Sequence, residues 1–357
     1  MADQNAPTPR ATSNRSTVPV SDTFKQYISG EWAERAEAEP RPREQAEWAA
    51  ARRARLSALY AGKRLIVPAG AAAVRSNDTD YAFRAHSAFS HLTGWASDTV
   101  AGSVLVLEPT SEGHTATLYF RKAAGRDSDE FYANSEIGEF WTGPRPSLAH
   151  VAMDLGLLTA DLAEFDRLLD SVDDRTIILR DSDRDLTDQI DGRRLLSTNT
   201  ENADTESADT EFARDLSELR LVKDPWEIQQ MRHAVAATKK GFDDVIADRD
   251  AIVAHERGER LVEGTFNRRA RAEGNAVGYD TIAASGPHAC ILHWTRNDGA
   301  VVPGDLILMD AGIELDSLYT ADITRTLPVN GVFSETQRRV YEAVLEAADA
   351  AFAIVRP

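Results

Sequence analysis

An α/β domain followed by an α+β domain is what this sequence predicts, on three observations. The chain has 357 residues, more than one ordinary domain uses. Between about residues 44 and 195, apolar runs of strand length alternate with helix-like text. From about residue 219, two helical stretches precede four strand-like runs joined directly, and a further helix closes the order. Direct strand-to-strand connections require antiparallel pairing.

Residues 1–43 are polar and dotted with proline, as in "EPRPRE", and are expected to form an arm, disordered or draped on a partner surface. "REQAEWAAARRARLSALY", Arg43 to Tyr60, is rich in good helix formers and reads as a helix. "KRLIVPAG", "GSVLVLEP", "HTATLYFR" and "DRTIILRD" read as strands, and "MDLGLLTADLAEFDRLLDSV" as helical text between them. Residues 196–218 hold the acidic, apolar-poor "STNTENADTESADTEFARDLSE", with a short direct repeat, and are expected to be a solvated linker.

The second domain, 219–357, opens on "DPWE", which places Asp224 as N-cap, Pro225 at the first helical position and Glu227 three residues after the cap. A second helix covers "RLVEGTFNRRARAE" and stops at Gly274. "YDTIAASG", "CILHWT", "LILMDAGIEL" and "YTADITRTLPV" read as strands. "SETQ" is a capping box that starts a helix with Val340, Val344, Ala348, Phe352 and Val355 on one face.

Composition excludes several classes of function. Hydrophobic content of 42% suffices for packed cores, while a formal charge of −18 repels nucleic acid phosphates and anionic lipid, so neither is expected as a partner. No run of about 18 apolar residues occurs to span a membrane, and the N-terminus lacks the apolar core of a signal peptide. The single cysteine, Cys290, allows no intramolecular disulfide and no zinc-thiolate cluster. A reducing, cytoplasmic location is the expectation.

The chemistry-bearing residues are Asp310 and Asp322, twelve apart and both inside strand-like text. Aspartate is depleted in strands, and a buried, unpaired carboxylate is costly. "LILMDAG" is apolar on both alternating faces, so Asp310 is expected in a strand buried on both sides, with no Lys or Arg beside it. A divalent cation resolves this if both carboxylates share one face of adjacent antiparallel strands. Oxygen donors favour Mg²⁺, Mn²⁺ or Ca²⁺, or Zn²⁺ with added imidazole, and two carboxylates cannot fill the shell of any of them. His293, at the end of "ILHWT", is a candidate functional residue against the plainer reading of a core histidine. His86 and His91, five apart, lack helical ligand spacing and are expected to be structural.

"LHWTRN", "GDLILMDAG", "ADITRTLPVNG" and "QRRVYEAVL", in this order, resemble the signature stretches of aminopeptidase P, the Xaa-Pro aminopeptidase of the pita-bread metallopeptidases. "RSNDTDYAFRAHSAFSHLTGW" and "EFWTGPRPS" resemble the creatinase-like N-terminal domain of that family, and "ELRLVKDPWEIQQMRHA" its interdomain crossing. The resemblance implies an α/β creatinase-like domain over 44–195 and an α+β pita-bread domain over 219–357, of which only the first part is present. It implies an exopeptidase that releases the residue preceding a proline, acting through a hydroxide bridging two divalent ions, usually Mn²⁺. It makes Asp310 and Asp322 metal ligands, Asp322 bridging, and puts His293 beside the metals as a catalytic residue touching the peptide. It further implies a proline-containing peptide as substrate and a homo-oligomer. The remaining family ligands, one His and two Glu, would follow the stretch seen here, so residues 1–357 by themselves are expected to be catalytically incomplete. Two alternatives stand beside this reading: a prolidase limited to Xaa-Pro dipeptides, and a non-catalytic pita-bread protein that binds peptides.

Overall fold

The computed structural model describes residues 21–33, 40–77, 79–126, 128–134, 137–198 and 203–356. The chain divides into two compact units, residues 1–226 and 227–357. Most of the expected polar arm, residues 1–20 and 34–39, lies outside the described residues.

In the first unit, α1 (Asp22–Ser29) is a capped helix where an irregular arm was expected: the Ser21 side chain accepts from the Phe24 amide. Phe24 meets Tyr132 edge-on, and Trp32 meets Phe131 and Phe140 in the same way. These aromatic contacts tie the segment to its own domain, which composition alone did not disclose. The expected helix α2 spans Gln45–Leu59. Its Arg52 and Arg53 donate to the carbonyls of His91 and Leu92, at the end of α3 (Ser87–Thr93). Cations at a helix C-terminus satisfy its unpaired carbonyls. Burial pushes the Arg53 guanidinium down to about 10. His86 caps α3 and His91 is buried in its last turn, so both are structural, as expected.

Five strands form the sheet: β1 (Arg64–Pro68), β2 (Val104–Thr110), β3 (Gly113–Phe120), β4 (Leu158–Asp161) and β5 (Thr176–Ile178), in the order β4-β3-β2-β1-β5. β1–β2 and β2–β3 are antiparallel, while β3–β4 and β1–β5 are parallel. Period-two alternation sends Leu65, Val67, Leu105 and Leu107 to a core with Phe89, Leu92 and Trp95. Ile66, Val104, Val106 and Ile178 face a second core with Phe165, Leu169 and Ile190. The two cores account for strands that read as continuous apolar runs.

Two stretches differ from expectation. "MDLGLLTADLAEFDRLLDSV" is not one helix: α4 (Leu148–Leu155) ends at Gly156, whose φ of 61° is left-handed. β4 follows, and the Asp161 side chain then caps α5 (Leu162–Leu169) by accepting from the Ala163 amide. The second is the expected acidic linker, 196–218. Residues 199–202 lie outside the described residues, but α6 (Arg184–Thr198) runs into its start and α7 (Ala203–Leu221) fills the remainder. Phe212, Leu216 and Leu219 recur at helical spacing and are buried in the sheet's first core. Asp209, fully buried, accepts from Arg194 at 2.8 and 2.9 Å, from Arg180 at 3.0 Å and from the Ile178 amide. This network and apolar stripe dock a helix whose acidic composition reads as solvated.

The second unit begins with α8 (Pro225–Ala247), α9 (Arg249–Ala254) and α10 (Gly258–Glu273). The helix start at Pro225 is as expected, yet Asp224 also binds Arg52 at 2.6 Å, and Glu227 is buried and accepts from Tyr319 Oη. β6 (Ala276–Val277) and β9 (Ile313–Glu314) pair antiparallel. β7 (Ile282–Ser285), β8 (Leu306–Ala311) and β10 (Ile323–Pro328) form an antiparallel sheet with β8 in the middle. Met309, Ala311 and Ile313 pack against Phe242, Val262 and Phe266 of the helices. The last helix, α11 (Glu335–Ala353), carries the expected capping box of Ser334 and Gln337. The face carrying Val340, Val344, Ala348, Phe352 and Val355 is exposed, Val344 at 64% and Phe352 at 80%. The expected strand "CILHWT" is absent: Gly286–Cys290 is a 3₁₀ turn and an irregular loop follows.

Asp209→Ala is expected to destabilise the first unit by about 3 kcal/mol or more, because it leaves Arg194 buried without its main counter-ion. Urea denaturation checks this; a change under about 1 kcal/mol would mean the network is dispensable.

Candidate metal centre

Strand register brings the two aspartates together. Asp310 stands opposite Thr324 in the β8–β10 ladder. Asp322 lies one residue before β10, rather than within a strand as expected, and two before Thr324. Because side chains alternate, Asp310, Asp322 and Thr324 share one face of the sheet. The chain can turn back so tightly because position 312 is glycine: a Cβ there would overlap the Ala321 carbonyl. Gly278 makes similar room for Thr320 on the neighbouring segment.

β8 is not buried on both sides. Met309 and Ala311 are buried, whereas Leu308 and Asp310 are partly exposed. On the face carrying Asp310, the described residues form a small cluster in which Trp294 packs on Ile282 and Ala284, with Leu308 against it. Asp310, partly exposed, remains in reach of solvent.

Tyr279 completes the arrangement, and the sequence reading missed it. Its Oη lies 2.5 Å from Asp310 Oδ1 and 2.9 Å from Asp322 Oδ1. One phenol proton therefore serves two carboxylates. Burial, and then the hydrogen bonds to both aspartates, push the phenol above its usual range, so it remains a donor. Among the described residues, neither aspartate pairs with a Lys or Arg. Converging carboxylates with one neutral donor and no cation fit a hard divalent ion. Among the described residues no group of three or more His, Cys, Asp and Glu could hold a metal, so for a metal the pair would by itself be only part of a coordination shell. The missed signal was "GYD", a tyrosine just ahead of an apolar strand.

His293 lies on the loop after the 3₁₀ turn, exposed, and among the described residues it hydrogen-bonds neither aspartate. The loop itself is anchored. Glu259 of α10, with no exposed surface, accepts from the Ser285 and Gly299 amides, His288 Nδ1 and Trp294 Nε1, all within 2.9 Å. An ionised carboxylate only accepts, so His288 carries its proton on Nδ1. His288 stacks on Trp294 at 3.8 Å, and the Arg296 guanidinium lies 4.3 Å from the Trp294 ring centroid. Trp294 packs on the sheet face that holds Asp310, which places its neighbour His293 on a tethered loop beside that face. Nothing in the local text around Glu259 marked this role, since a glutamate on a helix is ordinary.

Comparison with known proteins agrees with this architecture. The profile of aminopeptidase P, N-terminal domain, matches residues 49–178, and that of metallopeptidase family M24 matches 229–357. The chain is 48% identical over 328 residues to Xaa-Pro aminopeptidase 2 of Streptomyces coelicolor, covering 91% of this chain and 66% of that protein. Against Xaa-Pro aminopeptidase 1 of the same organism it is 43% identical over 342 residues, covering 95% and 66%. This chain thus spans just under two thirds of the length of these relatives. Zinc-substituted aminopeptidase P of E. coli, solved with product, superposes with a TM-score of 0.69 at 26% identity, covering 87% of this chain and 69% of that one. Aminopeptidase PepP of Pseudomonas aeruginosa gives the same score and identity, covering 87% and 68%.

Glu259→Ala is expected to strand four donors, two of them buried, and to cost about 3 kcal/mol or more of stability. The Ser285 and Gly299 amides should then exchange with solvent far faster. Unchanged exchange at both would show that the loop is held by something else.

Proposed function

The chain belongs to the aminopeptidase P family of M24 metallopeptidases, and from that premise we propose a metal-dependent exopeptidase that releases the N-terminal residue from peptides with proline in second position. The observation that carries the reading is the convergence of Asp310 and Asp322 on one sheet face through Tyr279. In this reading Asp310 and Asp322 would hold two divalent metal ions. When bound, such ions supply Lewis acidity and an activated water at neutral pH. Oxygen donors suit a hard ion, and Mn²⁺ is the one proposed.

The chain's own residues have distinct tasks here. The two carboxylates provide the negative charge that binds and retains a cation. Tyr279 keeps a proton at Oη and holds both carboxylates at the same spot. His293, exposed on a loop that Glu259 anchors, is the side chain proposed to contact the peptide near the scissile bond. The described residues contain no helix long and apolar enough to cross a membrane, and the single cysteine fits a reducing compartment, so the cytoplasm is the proposed location. The proposed division of labour places metal and peptide chemistry in the unit from 227 onward.

A peptide-length assay tests the reading: an Xaa-Pro-Yaa tripeptide is expected to be cut, whereas a prolidase would cleave only the Xaa-Pro dipeptide. In the enzyme, Asp322→Ala should reduce Mn²⁺-dependent release to background, since it removes one of the two carboxylates that would hold the metal. A folded variant retaining activity within a few-fold of the parent would refute the two-metal assignment. Residues 1–357 as the sole source of ligands are expected to release nothing, because their described residues offer two converging carboxylates and no third ligand. Mn²⁺-dependent turnover by this chain that is lost in Asp310→Asn would show that the shell is completed some other way.

A further inference from the structure

We propose that Tyr279 is a positioning residue for the metal-binding carboxylates, selecting which oxygen of each aspartate is offered to metal. The inference rests on the proposed metal site at Asp310 and Asp322. Tyr279 is contributed by the segment between β6 and β7, outside the hairpin that carries the aspartates. It meets both aspartates at the same atom type: Oδ1 of Asp310 at 2.5 Å and Oδ1 of Asp322 at 2.9 Å. Each carboxylate therefore commits one oxygen to the phenol and keeps Oδ2 for another partner. Without the phenol, two like charges on diagonal positions of one sheet face would swing apart towards water, because among the described residues no other hydrogen bond or ion pair restrains their rotation.

The geometry is fixed from behind as well. Thr281, two residues after Tyr279, is buried and its carbonyl accepts from the Asn297 amide group, so the segment cannot drift as a free loop would. On the other side, Gly278 lets Thr320 approach closely, which brings the hairpin turn against the tyrosine's own backbone. Tyr279 thus joins three segments: its own, β8 through Asp310 and the start of β10 through Asp322. A phenol in this place acts before any cation arrives, by holding the pair convergent. It acts afterwards by fixing the direction of each carboxylate. Groups that orient ligands in this way contribute about 10- to 100-fold to metal affinity.

The test uses the purified full chain, titrated with Mn²⁺ alone and followed by electron paramagnetic resonance, beside Asp310→Asn and Tyr279→Phe. Asp310→Asn is expected to abolish the site, and Tyr279→Phe to weaken it by about 10-fold or more. If Asp310→Asn abolishes binding while Tyr279→Phe binds as the parent does, the positioning role is overturned and the metal reading stands. If Mn²⁺ binds but is indifferent to Asp310→Asn, the metal reading fails and takes the metal role of Tyr279 with it. Thermal unfolding in EDTA then judges the bridge itself, without metal. Tyr279→Phe should lower the melting temperature more in the parent than in Asp310→Ala, where only one carboxylate still needs the proton. Equal lowering in both backgrounds would overturn the bridge.

Discussion

The sheet of the second unit holds two like charges on one face, and the rest of the site follows from that constraint. The register of β8 and β10 leaves Asp310 and Asp322 no choice of face, since a shift by one residue would turn Met309 and Ala311 out of the core. Hydrophobic packing on one side of the strand therefore enforces electrostatic crowding on the other. The core and the acid pair are two consequences of one register.

Comparing acids across the chain shows why this pair is the one proposed to bind metal. Asp209 is fully buried, but two arginines and an amide neutralise and satisfy it. Glu259 is as deeply buried and has two amides, an indole and an imidazole donating to it. Both are closed systems whose value is to hold a helix or a loop in place. Asp310 and Asp322 share a single phenol proton. Their charge is uncompensated among the described residues, and an uncompensated site is where a cation gains the most by binding.

Much of this was legible in the sequence, and the failures have physical causes. Four strands of the first sheet were readable because each is a short apolar run bounded by turn residues, as in "KRLIVPAG". β4 was not, because "LTAD" is short, and its strand state depends on parallel pairing with β3 that no local pattern encodes. α7 was hidden by its acidic composition; the cue was the spacing of Phe212, Leu216 and Leu219, which outweighs composition once Asp209 finds its arginines. The loop after Cys290 looked like a strand because Ile291, Leu292 and Trp294 are apolar. Yet Ile291 and Leu292 are exposed there, and only Trp294 is held inward, by Glu259. Asp310 and Asp322 stood out because carboxylates in strand-like text are rare. Tyr279 and Glu259 did not, because tyrosine near a strand and glutamate on a helix are common and acquire meaning only through tertiary contact.

Glycine settles the last step from register to site. The two aspartates meet only if the chain after Ala311 can cross close to the chain before Asp322. A Cβ at position 312 would occupy the space of the Ala321 carbonyl, and one at 278 that of the Thr320 side chain. Neither glycine adopts a left-handed conformation here, so the requirement is for space and not for backbone freedom. Asp310 is thus followed two positions later by a residue that must lack a side chain, and Tyr279 is preceded by a glycine whose Cβ would press on the Thr320 side chain. The motif around each site residue combines one group that does chemistry with one absence that lets it arrive. Any side chain at 312 would push the segment bearing Asp322 away from Asp310, and the phenol of Tyr279 could then reach only one of them.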